Sequence, residues 1–152
     1  MSAATTDKNK TAAAALPDPD ERPEADVVIY DGHCAFCRAS VERLRWWDCR
    51  NRLAYLSLHD PRVAQRYPDL SHERLMREMV VVDRQGRYHG GAAGFRYLTR
   101  RLRRLWWLAP LMHIPFSLPL WQGMYRQIAK RRYGIAGKVE CADGTCHLHE
   151  KK

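Results

Sequence analysis

The chain of 152 residues has no acidic residue between Asp83 and Glu140. Over its whole length, 26 lysines and arginines face 17 aspartates and glutamates, so the formal net charge is +9. Two basic clusters, residues 100–104 and 126–132, flank an apolar, Trp-containing run at 105–121. Such an excess of positive charge favours an anionic partner. Either the tryptophans lie at a lipid headgroup level with arginines on anionic lipid, or the run is an irregular connection buried against a sheet.

The chain also lacks a long apolar run. Residues 105–121 are too few to cross a bilayer and contain prolines at 110, 115 and 119, which remove helix hydrogen bonds. Since proline suits a central strand equally poorly, we expect this run to form an exposed or half-exposed apolar surface. Residues 12–16 are too short for the core of a signal peptide. We therefore expect a cytoplasmic protein that contacts membranes, if at all, peripherally through residues 100–132.

Nucleic-acid recognition motifs are missing as well. Neither a helix-turn-helix nor a zinc-finger spacing accompanies the basic residues, which argues against a nucleic-acid partner. The oligomeric state has no signature in the sequence.

Cysteine is scarce, with five in the chain, but two form a C-x-x-C pair at Cys34 and Cys37. This pair directly follows an apolar, strand-like stretch at 27–30 and precedes a helix-like stretch at 38–47. The unpaired N–H groups and partial positive charge of a helix N-terminus favour thiolate over thiol. In a reducing compartment such cysteines are catalytic or metal-binding rather than structural. The pattern predicts a redox dithiol in which Cys34 attacks and Cys37 resolves.

Zinc binding is the alternative interpretation of the C-x-x-C pair, because such a pair can form half of a tetrahedral site. The other half would come from the C-terminal tail, where two thiols and two imidazoles lie within nine residues: Cys141, Cys146, His147 and His149. That tail could equally be a second redox pair, or a flexible terminus that binds metal opportunistically.

Asp31 precedes the first cysteine by three residues. Its carboxylate could accept or relay a proton during thiol exchange, or it could cap the turn that leads into the helix. His33 could favour the Cys34 thiolate when protonated, or it could simply be an exposed loop residue.

The remaining pattern alternates between α and β elements. Asp60 and Pro61 carry the N-cap and first-position signature of a helix. A βαβ unit followed by a hairpin predicts a mixed sheet flanked by helices, which is the element order of a thioredoxin-like domain. The expected strands are 27–30, 53–58, 79–83 and 87–89, and the expected helices are 35–47, one beginning at Asp60, and 91–105.

Beyond this pattern, residues 30–37 (Tyr-Asp-Gly-His-Cys-Ala-Phe-Cys) resemble the DCC family, named for its Asp-x-x-Cys-x-x-Cys signature. Residues 79–93 and 125–133 resemble the second block and terminal helix of that family. The resemblance implies a thioredoxin-like α/β fold with a C-terminal helical extension. Thioredoxins place a cis-proline opposite the C-x-x-C pair, whereas the corresponding residues here, 77–80, contain no proline.

The expected organisation is a disordered tail over residues 1–25, a thioredoxin-like domain over 26–134 and a Cys/His-containing tail over 135–152. The expected function is thiol-disulfide exchange by Cys34 and Cys37, assisted by Asp31, with a protein or small-molecule disulfide or thiol as substrate. No organic cofactor is implied, because the dithiol itself carries two electrons. The alternative function is a non-enzymatic module that binds metal, or that docks on a membrane or acidic partner through its basic C-terminal half.

Overall fold

The computed structural model describes residues 16–136. The described part contains four strands and six α-helices. In chain order they are β1 (Asp26–Tyr30), α1 (Ala35–Trp47), β2 (Leu53–Ser57), α2 (Pro61–Arg66), α3 (His72–Arg77), β3 (Val80–Val82), β4 (Tyr88–Gly90), α4 (Gly91–Arg101), α5 (Ala109–Met112) and α6 (Leu118–Ala136).

The strands form one mixed sheet in the order β2-β1-β3-β4. β1 runs parallel to β2, whereas β3 is antiparallel to both β1 and β4. This arrangement confirms the expected thioredoxin-like fold with a helical extension. Because β1 is a central strand, the loop that follows it emerges from the middle of the sheet, and this loop carries the C-x-x-C pair.

Helices cover both faces of the sheet, which explains why the strands are continuously apolar. On one face Val27 and Ile29 pack among buried residues of α2 and α3, including Val63 and Leu75. On the other face Val28 packs against side chains of α1 and α4. α1, which spans the residues expected from sequence, buries Val41 and Leu44 on this second face.

Local chemistry accounts for several helix ends. Asp60 accepts a hydrogen bond from the backbone N–H of Arg62 at 2.9 Å, and Pro61 opens α2, as expected. Pro110 and Pro119 also lie in the first turns of α5 and α6. Backbone N–H groups in a first turn have no acceptor within the helix, so proline, which lacks this N–H, costs no helix hydrogen bond there. The apolar run is therefore more regular than expected, because two of its three prolines start helices and the third, Pro115, lies in the turn between them.

The helix expected over 91–105 is shorter in the structure. α4 ends at Arg101, the backbone of Leu102 is extended (φ −97°, ψ 115°), and a single 3₁₀ turn follows at Arg103–Leu105. This break lets both Leu102 and Leu105 pack into the core beside α1. The terminal helix, in contrast, begins at Leu118, ahead of the family-like block at 125–133.

Residues 16–25 correct part of the expected disordered tail. The carbonyl of Pro17 accepts the N–H of Tyr55 at 2.9 Å, which satisfies the outer edge of β2. Arg62 forms ion pairs with Asp18 at 2.7 Å and Asp20 at 2.6 Å. Residues 1–15 of the expected tail, and the candidate ligands Cys141, Cys146, His147 and His149, lie outside the described residues.

Candidate functional site

The two cysteines of the motif lie at the N-terminus of α1, immediately after the central strand. Cys34 is the N-cap, with φ −94° and ψ 115°, and its Sγ accepts a hydrogen bond from the backbone N–H of Cys37 at 3.4 Å. Both cysteines are free thiols in this structure. The helix terminus therefore supplies a donor to the sulfur of Cys34, as the sequence pattern predicts.

The two sulfurs differ in accessibility. Cys34 is fully buried, with 0% of its surface exposed, whereas Cys37 is half-buried. This order is the reverse of what direct attack by Cys34 on a bulky substrate requires. A substrate reaches Cys34 only when the structure around the motif opens.

Cys37 retains its proton at neutral pH. Burial, the hydrogen bond with Cys34 and the charge on Cys34 together raise the pKa of Cys37 to about 12, although the Arg132 guanidinium lowers it. The proton of Cys37 is therefore available to its neighbour and must be removed before Cys37 can act as a nucleophile.

Arg132 belongs to the site, although the sequence analysis placed it in a basic surface cluster, residues 126–132. It lies on α6, is 4% exposed, and holds its Nη1 3.6 Å from the Sγ of Cys37. Its Nη2 donates to the carbonyl of Met76 and lies 3.8 Å from Oδ2 of Asp31. Ninety-five positions separate Cys37 from Arg132, so no local spacing signals the contact.

Asp31 is buried beneath the motif and connects several of its parts. Its Oδ1 accepts the backbone N–H of His33 at 3.0 Å and lies 3.0 Å from Nε2 of His59. The first contact is that of a turn cap and the second links the buried carboxylate to a histidine with a partly exposed side chain. The capping geometry is thus present, and the contact with His59 is one that no motif indicated.

Asp31, His33 and His59 are also placed so that three ligand atoms lie within 4.8 Å of one another. The imidazole rings of His33 and His59 stack with centroids 3.9 Å apart. A carboxylate and two imidazoles are ligands that zinc accepts. The set could hold one such ion with a fourth position open, beside the dithiol and not on it.

An apolar cavity of about 310 Å³ adjoins the half-buried thiol. Cys37 forms part of its wall together with side chains from α4, α5 and α6, among them Phe95, Met112 and Trp121. Of the two motif cysteines, only Cys37 is among the residues that line this cavity.

The segment before β3 faces the same cavity through Met79. No cis peptide bond occurs in residues 16–136, consistent with the lack of proline at 77–80. The N–H of Met79 donates to the Tyr125 hydroxyl at 2.9 Å, so α6 already occupies the backbone donor beside the dithiol. An extended peptide cannot pair with that donor unless α6 moves.

Comparison with known proteins gives one match. Residues 28–138 match a family model described as DCC1-like thiol-disulfide oxidoreductase. No curated protein matches the chain, and no solved structure does. The matched range includes the C-x-x-C loop, all of α6 and the whole sheet except the first two residues of β1.

Proposed function

The chain belongs to the DCC1-like thiol-disulfide oxidoreductase family, and from this premise we propose that Cys34 and Cys37 catalyse thiol-disulfide exchange, with Cys34 attacking and Cys37 resolving. The observation that supports this assignment is that the two sulfurs differ in hydrogen bonding and in protonation. Cys34 accepts a backbone N–H at the helix terminus, whereas Cys37 holds its proton tightly. Only Cys34 is therefore suited to be the first nucleophile at neutral pH.

In the reductive direction, the Cys34 thiolate attacks one sulfur of a substrate disulfide and expels the other as a thiolate. The mixed disulfide on Cys34 is then attacked by Cys37, which releases the second substrate thiolate and closes the Cys34–Cys37 disulfide. Two electrons pass to the substrate. The proton that Cys37 gives up ends on a departing thiolate or on a nearby base, and the same steps run backwards for substrate oxidation.

Asp31 is the base that we assign to this proton. Its negative charge raises the pKa of Cys37. The hydrogen-bonding contact with His59, whose side chain is 28% exposed, connects the carboxylate to solvent. Arg132 works in the opposite direction, because its positive charge lowers the pKa of Cys37 and stabilises the resolving thiolate as it forms.

The substrate class is a protein or small-molecule disulfide or thiol, and the proposed compartment is the cytoplasm. Among residues 16–136 no helix is both long enough and apolar enough to span a membrane. The dithiol supplies both electrons, so the proposed reaction requires no organic cofactor.

Trapping tests the assignment. A Cys37→Ala variant lacks the resolving thiol and should accumulate mixed disulfides on Cys34, detectable as adducts that dithiothreitol releases. The matched Cys34→Ala variant should accumulate few adducts at the motif, because Cys37, the thiol of the motif that remains, is protonated. Equal adduct yields on the two variants would refute the order of attack.

The alternative of a metal-binding module makes a different prediction. If the C-x-x-C pair holds a structural ion, freshly purified protein contains about one zinc per chain, and Cys34→Ala loses it. Metal content that is substoichiometric and unchanged by Cys34→Ala removes this alternative.

A further inference from the structure

Large apolar side chains lie exposed along one continuous part of the chain, from the 3₁₀ turn to the middle of α6. All the exposed large apolar residues in positions 16–136 belong to it except Trp46. Phe116 is the extreme, with 97% of its surface exposed. We refer to this surface as the apolar edge; it consists of Trp106, Trp107, Leu111, Ile114, Phe116, Leu120, Met124 and Ile128.

Phe116 stands at the tip of the apolar edge, in the loop between α5 and α6. Its φ of 63° is left-handed, a conformation that costs a bulky residue roughly 1–2 kcal/mol. The loop is held by Ser117, whose N–H and hydroxyl both donate to the carbonyl of Ile114. Packing within the described chain gives no reason for a phenyl ring here, since almost none of it is covered.

Basic side chains border the apolar edge. Six are exposed and form no ion pair with a carboxylate within the described range: Arg100, Arg103, Arg104, Arg126, Lys130 and Arg131. On α6, Leu120, Met124 and Ile128 recur at four-residue intervals and Arg131 follows on the same face. Arg103 and Arg104 are separated from Trp106 and Trp107 by a single residue in the chain.

We propose that the apolar edge docks on the surface of an anionic lipid bilayer, with Phe116 inserted below the headgroups. Apolar side chains that enter the acyl boundary, tryptophan at the headgroup level and a basic border constitute the chemistry of an interfacial anchor. A nucleic acid would satisfy the arginines but would leave the exposed aliphatic side chains in water. The docked orientation also brings the cavity beside Cys37 to the membrane surface, because Met124 and Ile128 belong both to the apolar edge and to the lining of that cavity.

Vesicle sedimentation with the full chain tests this proposal independently of any redox activity. Binding to vesicles of phosphatidylcholine with 30% phosphatidylserine should exceed binding to pure phosphatidylcholine by about tenfold or more at 50 mM salt. It should weaken at 500 mM salt, where charge screening is strong. Heparin is included as an anionic polymer without an apolar phase.

Phe116→Gly is the decisive variant, because glycine adopts a positive φ without strain. Its melting temperature should equal or exceed that of the wild-type chain, whereas its vesicle binding should fall about tenfold, since the inserted ring is lost. Arg131→Glu should also weaken vesicle binding. Its control is Arg84→Glu, which makes the same change of charge at an exposed residue of the β3–β4 turn, away from the apolar edge.

Three results would overturn the proposal. One is equal recovery with neutral and anionic vesicles at low salt. Another is full binding by Phe116→Gly, which would show that only charge matters. The third is tight binding to heparin without binding to vesicles, which would assign the basic border to a polyanion.

Discussion

Replacing Arg132 with methionine tests how the site is held together. Arg132 is buried where it meets Asp31, Cys37 and the carbonyl of Met76. Methionine keeps an unbranched, apolar stem, but it ends short of the guanidinium position and removes the positive charge and every donor. Asp31 would keep its contacts with His33 and His59.

Breaking a buried ion pair from one side costs about 3–5 kcal/mol. Because Asp31 keeps two of its partners, we expect the lower end, about 3 kcal/mol in the free energy of unfolding at pH 7. For a folded part of this size that loss corresponds to a fall of about 10 °C in melting temperature. Urea unfolding followed by circular dichroism measures the first quantity, and a thermal melt the second.

Arg131→Met is the matched control, because Arg131 is the neighbouring residue on α6 but is exposed. A surface change of this kind should alter stability by less than about 0.5 kcal/mol. Labelling of Cys37 by iodoacetamide gives a second readout. Since Arg132 lowers the pKa of Cys37, its loss should slow labelling, whereas simple loosening of the site would accelerate it. Equal stabilities of the two variants, or faster labelling of Cys37 in Arg132→Met, would refute this account of the site.

Two further predictions concern the β3–β4 hairpin and its junction with α4. Burial raises the pKa of Asp83, but hydrogen bonds from His89 and Arg87 outweigh it and bring the pKa to about 2. The stability that ionised Asp83 contributes is present above its unfolded pKa of about 4 and is lost as the pH falls towards 2. Urea unfolding of Asp83→Asn should therefore show a lower free energy of unfolding at pH 7. The same variant should show a weaker dependence of that free energy on pH between pH 4 and 2. A Cβ at Gly94 would lie 2.6 Å from the carbonyl oxygen of His89, whereas one at Gly123 meets nothing within 4 Å. Thermal melts should therefore show Gly94→Ala destabilised by about 1–3 kcal/mol and Gly123→Ala stabilised by about 0.5–1 kcal/mol, and a reversal of this order would contradict the packing described for α4.

Local signals predicted the elements that surround the dithiol. The apolar stretch at 27–30, the bounds of α1 and the Asp60 cap of α2 all follow from periodicity and from residues within one helical turn. The mixed sheet followed from the order of these elements. The family resemblance rested on three short blocks, residues 30–37, 79–93 and 125–133, and the match over residues 28–138 confirms it.

The contacts that complete the candidate site were not predictable in this way. From α6, Arg132 reaches Cys37 and Tyr125 reaches the backbone of Met79. His59 reaches Asp31 from the loop after β2. Each contact joins segments that are far apart in the chain, so residue spacing carries no trace of it. The burial of Cys34 is likewise a property of tertiary packing, whereas its helix-terminal position is a property of local sequence.

The burial of Cys34 also determines which reagents its sulfur can meet. Oxidation of cysteine to sulfenic and higher acids requires contact between the sulfur and a dissolved oxidant. In the closed structure the sulfur best suited to react has no exposed surface, and the sulfur that has some is protonated. The proposed thiol chemistry is therefore shielded from peroxides and stray disulfides in bulk water, and it requires a molecule whose binding uncovers Cys34.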